Sequence, residues 1–203
     1  MTFDLHIHSR FSDGQLTPET ARIYLSKHYD YRTVTDHDNA DFHRKSSNFC
    51  SFTGMEISSY AIVNGEKLFA EFLFYGFEKE HPITLKLEEK PFLEMSLLTE
   101  LVEPLRKEGA LLFLAHPMFT FRRREPRPIM EYMSSFIDGF ECLHRSNNLK
   151  ETLTLLDYCK EKGLFVTGGS DSHLTPLHTT PNLYLTEEYA DLFSWIPKMA
   201  SRK

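Results

Sequence analysis

Histidine and acidic residues recur in this sequence in short motifs whose spacing suits a divalent metal. His6 and His8 stand two residues apart, just after Asp4. On a β-strand such side chains face the same way, about 7 Å apart along the chain, so both imidazoles can reach one ion. A strand with two exposed histidines accounts for this motif equally well, because imidazole is a common ligand and also a common surface group.

Five further motifs place an acid or a histidine beside small residues or proline. They are Ser12-Asp13-Gly14, Thr35-Asp36-His37-Asp38, Gly54-Met55-Glu56, Ala115-His116-Pro117 and Gly168-Gly169-Ser170-Asp171-Ser172-His173. A carboxylate such as Glu56 can bridge two metals, and an acid beside His37 can orient it. Singly, each motif is also typical of a solvated loop or a structural histidine. Together with His6 and His8, they hold five of the ten histidines, and this concentration indicates a metal site.

The motifs follow short apolar runs that predict β-strands. The predicted strands are Phe3–Ile7, Thr33–Thr35, Phe52–Ile57, Leu68–Tyr75, Leu111–Ala115, Gly139–Leu143, Leu164–Thr167 and Leu183–Leu185. Helical patterns alternate with them, which favours an α/β architecture with parallel strands. In such barrels the carboxyl ends of the strands meet at one rim, where residues distant in sequence converge.

Three helices are predicted between these strands. The first begins at Thr17, a good N-cap followed by Pro18, and its inner face carries Ala21, Tyr24, Leu25 and His28. The second spans about Leu93–Lys107, with a kink or early stop expected at Pro104. The third spans Leu149–Lys162, with Gly163 as its C-cap and Leu149, Leu153 and Leu156 on its apolar face. The stretch 39–52 is poor in helical pattern.

Composition sets outer limits on the function. The 203 residues suit one domain over 1–203, and 17 phenylalanines predict an aromatic core. The net charge of −6 disfavours a broad nucleic-acid-binding face. The sequence has neither the apolar run of about 18 residues that a membrane span needs nor a signal-peptide pattern, so a cytoplasmic location is expected. The three cysteines fit no disulfide or zinc-finger spacing.

Taken in order, the six histidine and acid motifs resemble those of the PHP (polymerase and histidinol phosphatase) family, and look closest to its small stand-alone bacterial phosphoesterases. The resemblance spans residues 2–173. It implies a distorted seven-stranded β/α barrel, related to the TIM barrel, that holds two to three divalent metal ions. The mixed nitrogen and oxygen ligands suit manganese, iron or zinc better than calcium.

The resemblance also implies which residues hold each metal. His6, His8, Glu56 and Asp171 would hold the first, with Glu56 bridging to a second that His116 also holds. Asp13, His37 and His173 would hold the third. Glu71 falls where the family usually has another histidine, and we expect it to substitute as a ligand. The chain also lacks a helical insertion that often precedes the Ala-His-Pro motif, so a more open pocket is expected.

The expected chemistry is hydrolysis of a phosphate ester by a metal-bound hydroxide, positioned by Glu56 and Asp171. Metal binding lowers the pKa of water from 15.7 towards about 7, so hydroxide is available at neutral pH. The phosphate would be bound by Arg122, Arg123 or Arg145, because guanidinium matches phosphate geometry; a solvated basic loop is the alternative. His144 and His178 are weaker candidates for protonating the leaving group.

The substrate expected is a small phosphomonoester, a nucleotide or the end of an oligonucleotide, with no membrane partner. Three alternatives stay open: a histidinol-phosphate-type phosphatase, a metal-dependent amidohydrolase, and a PHP-like module without catalysis. The arginines discriminate weakly against amide hydrolysis, because a neutral carbonyl substrate would not need them.

Overall fold

The computed structural model describes residues 1–90, 92–122, 124–174 and 187–202. Its strands are β1 (Phe3–Asp4), β2 (Tyr31–Arg32), β3 (Gly54–Val63), β4 (Glu66–Tyr75), β5 (Leu93–Glu94), β6 (Leu111–Leu114), β7 (Gly139–His144) and β8 (Phe165–Gly169). Its helices are α1 (Pro18–His28), α2 (Asp41–Ser46), α3 (Pro82–Glu89), α4 (Met95–Lys107), α5 (Pro117–Thr120), α6 (Pro126–Met133), α7 (Leu149–Lys162) and α8 (Trp195–Ala200). The fold is therefore mixed α/β.

Six strands form one sheet in the order β5-β3-β4-β6-β7-β8, and β1 pairs with β2 in parallel outside it. Strand β4 runs antiparallel to both β3 and β6, while the remaining pairs are parallel. Isolated bridges join Ile7 to Ser172 and His37 to Glu56. The segment that follows β1 therefore lies beside the end of β8, and the segment that follows β2 lies beside β3.

The described strands do not close into the seven-stranded barrel that the family resemblance implies. Leu5 N–H donates to Gly168 O at 3.2 Å, and Thr35 N–H donates to Ile7 O at 2.9 Å. These contacts continue the ring of strands on both sides of β1, but as single hydrogen bonds and bridges without a regular ladder. The result is an interrupted ring whose carboxyl rim stays open.

Strand predictions were right in position and less accurate in length. The run Thr33–Thr35 is extended and hydrogen-bonded to the chain after β1, but the ladder lies two residues earlier, at Tyr31–Arg32. The largest difference is at β3 and β4, which pair over ten residues each around an Asn64-Gly65 turn. Both turn residues have positive φ, as a two-residue hairpin requires. Leu183–Leu185 and His178 lie outside the described residues.

Helix ends follow local capping. The side chain of Thr17 accepts a hydrogen bond from Thr20 N–H, and α7 keeps its predicted bounds because Asn148 and Glu151 form a capping box. Helix α4 continues through Pro104 to Lys107, so the predicted early stop is wrong. Pro104 lies in the last turn, where little helix remains to be disrupted. A short helix, α2, also forms within the stretch 39–52.

The predicted apolar face of α7 is right in part. Leu156 is buried as predicted, whereas Leu149 and Leu153 are exposed. The buried face instead carries Thr152, Leu155, Leu156, Tyr158 and Cys159. The buried face is displaced by about one residue from the predicted leucine stripe, because it includes Leu155 and Cys159, which lie one helical turn apart. On α1, Ala21 and Leu25 are buried as predicted, whereas His28 is exposed.

The core is rich in aromatic side chains, as the composition predicts. Tyr75, Phe113 and Trp195 pack together, with ring centroids 4.9 to 5.5 Å apart. Tyr75 lies on β4 beneath the rim, and its hydroxyl donates to Leu5 O at 2.9 Å. This cluster supports the strands that carry the histidines and acids.

Candidate metal centre

The structure brings all nine predicted ligand side chains together at the carboxyl rim. Their nitrogen and oxygen atoms form overlapping groups within 4.8 Å: His8-Asp13-His37-His173, His6-His8-Asp171, His6-Glu56-His116 and His37-Glu56-Glu71. His6, His8 and Glu56 are fully buried, whereas Asp13 lies at the surface. The cluster therefore runs from the interior of the rim to solvent.

The innermost group joins His6, His8, Glu56 and Asp171. The Nε2 atoms of His6 and His8 lie 3.2 Å apart, so the two side chains converge, although both residues lie beyond the end of β1. Glu56 Oε2 lies 3.1 Å from His6 Nε2 and 3.2 Å from His8 Nε2. Asp171 Oδ1 lies 3.6 Å and 3.2 Å from the same two nitrogens. Four side chains thus direct donor atoms at one point.

Glu56 also reaches a second group through its other oxygen. Glu56 Oε1 lies 3.1 Å from His116 Nε2, and Glu71 Oε2 lies 3.4 Å from the same nitrogen. His37 Nδ1 approaches Glu56 Oε2 at 3.4 Å and Glu71 Oε1 at 3.8 Å. Glu71 therefore occupies this group, as the sequence comparison with the family motif predicts. One carboxylate with two outward oxygens joins the first and second groups.

The third group lies nearest to solvent. Asp13 Oδ2 is 3.2 Å from His173 Nε2 and 3.8 Å from His37 Nε2. The ring of His8 lies between the other two imidazoles, with centroids 4.4 Å from His37 and 4.1 Å from His173. His8 Nδ1 faces this group, 3.9 Å from Asp13 Oδ1. His8 thus contacts both the first and the third group, which the sequence did not predict.

Burial and charge set the protonation of these side chains. Burial alone would lower the pKa of His8, but hydrogen bonds with Asp171 and Glu56 outweigh it and raise the pKa to about 9. Burial opposes ionisation of Glu56, yet the charge of His6 and hydrogen bonds from the histidines hold its pKa well below the usual range. Burial and the charge of Glu56 raise the pKa of Glu71 to about 7. The buried carboxylates therefore need nearby positive charge.

Two supporting residues were missed or undervalued in the sequence. Glu141, fully buried on β7, has Oε1 3.0 Å from His6 Nδ1 and accepts from His116 N–H through Oε2 at 2.8 Å. An acid inside the apolar run Gly139–Leu143 was the only sequence indication of this role. His144, the last residue of the same strand, is also buried, and its Nε2 lies 3.4 Å from Asp171 Oδ2. Both side chains border ligands of the innermost group.

The acid beside His37 does not orient His37. Asp36 instead accepts from Ser9 N–H and Ser9 Oγ at 2.6 Å each and from Ser12 Oγ at 2.7 Å. These bonds tie the loop that carries Asp13 to the end of the neighbouring strand. Asp36 therefore stabilises the loop that presents Asp13 to the third group.

The backbone is strained where it presents the ligands. His116 has φ 27° and Asp171 has φ 48°, in the left-handed region that L-residues seldom adopt. Next to Asp171, a β-carbon added at Gly169 would overlap main-chain atoms of His6. The absence of a β-carbon at Gly169 therefore lets β8 lie against the segment that carries His6 and His8.

Of the predicted phosphate-binding arginines, Arg122 and Arg145 are described, and neither contacts the cluster. Arg122 packs over the ring of Phe119 at 4.6 Å, and that ring lies 5.9 Å from the ring of His116. Arg145 is exposed directly after His144. Arg123 lies outside the described residues. The nearby Arg127 pairs with Glu131 and Glu161 and is therefore part of the surface charge network.

The donor set fits a divalent cation. Donors about 2.1 Å from one ion lie about 3.0 to 3.4 Å from their neighbours, depending on geometry. The five distances in the innermost group run from 3.1 to 3.6 Å. His8 Nδ1 and His116 Nδ1 are buried without a hydrogen-bond partner among the described residues. Mixed imidazole and carboxylate donors suit manganese, iron or zinc.

Two solved structures are similar to this chain. One is an amidohydrolase from Chromobacterium violaceum, solved with bound sulfate and no metal, at 16% identity and TM-score 0.73, covering 96% of this chain and 97% of that one. The other, from Bifidobacterium adolescentis, is provisionally described as a metal-dependent phosphoesterase, at 18% identity and TM-score 0.72, covering 97% of this chain and 96% of that one. No family model and no curated protein sequence matches the chain. At these identities, the likeness establishes a shared α/β fold over nearly the whole length of each chain.

Proposed function

We propose that this protein is a metal-dependent hydrolase of phosphate esters, related to the PHP family. The observation that carries the proposal is the convergence of eight side chains from six distant motifs, together with Glu71, around the shared carboxylate of Glu56. A structural histidine needs one hydrogen-bond partner. It does not need three such partners, yet His8 Nε2 lies 3.2 Å from ligand atoms of His6, Glu56 and Asp171, the last on a strained backbone.

The residues divide into three proposed ion sites, of which the first and second share Glu56, while His8 of the first also contacts the third. His6, His8, Glu56 and Asp171 would hold the first ion. Glu56, Glu71 and His116 would hold the second, and Asp13, His37 and His173 the third. Two or three divalent ions would offset the carboxylates, whose burial is otherwise costly. Manganese, iron and zinc are the metals to test.

Bound there, divalent ions would lower the pKa of water and neutralise charge on the phosphoryl oxygens. The chain itself would fix their spacing, because Glu56 offers one oxygen to each of two groups. Glu141 would hold His6 with Nδ1 protonated, so that Nε2 presents its lone pair to the cluster. Asp171 would stay ionised, since burial is outweighed by its contacts with His144 and His8, which lower its pKa.

Three features favour a phosphate ester over a carbonyl substrate. Arg122 stands at the rim beside Phe119 and offers a planar donor for phosphate. A similarly folded protein is provisionally described as a phosphoesterase, and the other carries a bound sulfate, a tetrahedral anion like phosphate. The motif resemblance points to the same chemistry. A small phosphomonoester, a nucleotide or an oligonucleotide end is the proposed substrate class.

Amide or ester hydrolysis is the second candidate, because the protein that carries the sulfate is described as an amidohydrolase. A cluster of this kind can polarise a carbonyl as well as a phosphoryl group. Phosphomonoesters, including histidinol phosphate, would be assayed beside amides and lactones with added manganese, iron or zinc. Release of phosphate without amide cleavage would support the proposal, and the opposite outcome would favour the second candidate.

The variant Asp171→Asn tests the site. Asn tolerates the left-handed backbone at this position, so the fold should persist while an anionic donor is lost. We expect phosphate release to fall at least a hundredfold, and bound metal, measured by elemental analysis, to fall with it. Asp191→Asn, at an exposed position, serves as the control. Wild-type turnover in Asp171→Asn would refute the assignment, and a folded, metal-loaded wild type without hydrolytic activity would indicate a non-catalytic module.

A further inference from the structure

Three phenylalanines at the rim are exposed, and the proposed function gives them no role. All 17 phenylalanines lie in described positions, and only Phe69, Phe92 and Phe119 are exposed, by 45%, 54% and 51%. The ring of Phe119 lies 5.9 Å from that of His116 and is covered on one side by Arg122. Phe69 stands two residues before Glu71 on the same strand. Phe119 and Phe69 therefore lie close to the proposed metal ligands His116 and Glu71.

Phe69 shares a sheet face with the ligands. In the β3–β4 hairpin, Ser58 pairs with Glu71 and Tyr60 pairs with Phe69. Side chains two residues apart on a strand face the same way, so Phe69 lies on the face that carries Glu71, about 7 Å further out along β4. The ring of Tyr60 is already covered by Lys67, whose Nζ lies 3.8 Å from its centroid. Phe69 is thus the aromatic ring of this pair that remains open to the rim.

Phe92 completes a pair of rings. Its N–H donates to Ser58 O at 3.1 Å, and its ring centroid lies 5.8 Å from that of Phe69, with the planes tilted by 42°. Its backbone has φ 67°, a conformation that glycine adopts freely and a bulky residue does not. Strain and exposure of the ring both oppose folding. Stability therefore gives no reason for a phenylalanine here, and strained residues of this kind concentrate at binding sites.

We propose that Phe69 and Phe92 form a stacking platform for the planar ring of the substrate's leaving group. This rests on the proposed phosphoesterase function and deepens it, because it selects nucleoside or aryl phosphates over aliphatic ones. One strand step of about 7 Å separates the platform from Glu71, which suits a phosphate and a ring held in one small molecule. Two rings are too small a patch for a stable protein interface, which needs about 800 Å² per partner.

The test compares two substrates that differ in the ring alone. Phe69→Ala, Phe92→Gly and the double variant would be assayed with AMP and with ribose phosphate in the presence of manganese. Loss of a stacking contact costs about fivefold or more in affinity, so the ratio of kcat/KM for AMP to that for ribose phosphate should fall by this factor. The exposed Ile23→Ala, on α1, should keep the wild-type ratio. An unchanged ratio in the double variant overturns the platform.

A second measurement keeps the platform testable if the proposed function fails. Saturation-transfer NMR would record contact between adenosine and the EDTA-treated protein, where no turnover occurs. We expect wild-type contact that is lost in the double variant, and retained contact in that variant overturns the proposal. Phe92→Gly also reports on folding, because glycine relieves the strain and should not lower the unfolding temperature. Absence of hydrolysis with platform-dependent adenosine binding would refute the phosphoesterase and leave the platform standing.

Discussion

Replacing Glu141 by Gln removes one negative charge without changing size. Glu141 is fully buried and holds two donors, His6 Nδ1 at 3.0 Å and His116 N–H at 2.8 Å. A Gln amide has one acceptor oxygen and one NH₂ group. It can accept from one of these donors and must direct its own N–H groups at the other. Ligands of both the first and the second proposed ion site therefore lose support in one substitution.

The expected magnitude follows from these two contacts. A hydrogen bond to a charged group contributes about 1.5 to 3 kcal/mol, and a buried donor left without an acceptor costs about 1 to 3 kcal/mol. Because the site is dry, little of this is screened. We expect the metal-free Glu141→Gln variant to lose about 2 to 4 kcal/mol of unfolding free energy. Metal affinity should fall about 10- to 100-fold, as when other groups that orient a metal ligand are removed.

Two assays measure these losses separately. Urea unfolding in EDTA, followed by circular dichroism, gives the stability of the metal-free protein. Isothermal titration with manganese or zinc gives the affinity. Glu100→Gln, at an exposed position on α4, removes the same charge from the surface and should change neither quantity measurably. Wild-type values for both quantities in Glu141→Gln would show that this carboxylate does not position His6 or His116.

Two further predictions concern pH and packing. The pKa of His8 rises from 6.5 to about 9 on folding. Protonated His8 therefore stabilises the metal-free protein fully below pH 6.5, and this stabilisation, about 3 kcal/mol, is lost as the pH rises to about 9. Urea unfolding midpoints in EDTA across this range measure the loss, and midpoints that do not change with pH would contradict it. Metal binding displaces the same proton, so affinity should increase over that range. Gly169→Ala should destabilise the protein far more than Gly163→Ala, because the first meets the main chain of His6 and the second meets only the cost of a left-handed backbone, about 1 kcal/mol. Thermal unfolding of the two variants, with equal losses as the contrary result, tests this.

Elements with local determinants could be predicted from the sequence. Helix α7 begins and ends where Asn148 and Gly163 cap it, because capping depends on residues adjacent to the helix in sequence. The residues of the candidate metal centre were also predictable by type, since histidines and acids at the ends of apolar runs meet at the rim of such a fold. His6 and His8 lie beyond the end of β1, and their ring nitrogens meet as the spacing of two indicates.

Features that depend on distant contacts could not be predicted. Glu141 lies in an apolar strand, where a charged residue is seldom fully buried, and its two partners, His6 and His116 N–H, lie 135 and 25 residues away in sequence. The full length of β3 was underestimated because Ser58 and Ser59 interrupt its apolar pattern, although both lie in the strand. Leu149 and Leu153 are exposed because a different face of α7 packs against the sheet, and the spacing of the leucines alone does not specify that face.

Glu56, Glu71 and Phe69 all belong to one β-hairpin, closed by the two-residue turn at Asn64-Gly65. Under the proposed function, Glu56 and Glu71 would set reactivity and Phe69 would set ligand choice, on the same continuous ribbon. Substitutions at and around Phe69 would then change the ligand without removing a proposed metal-binding side chain. A chain built this way could acquire new substrates in small evolutionary steps, by exchanging a few side chains on one hairpin.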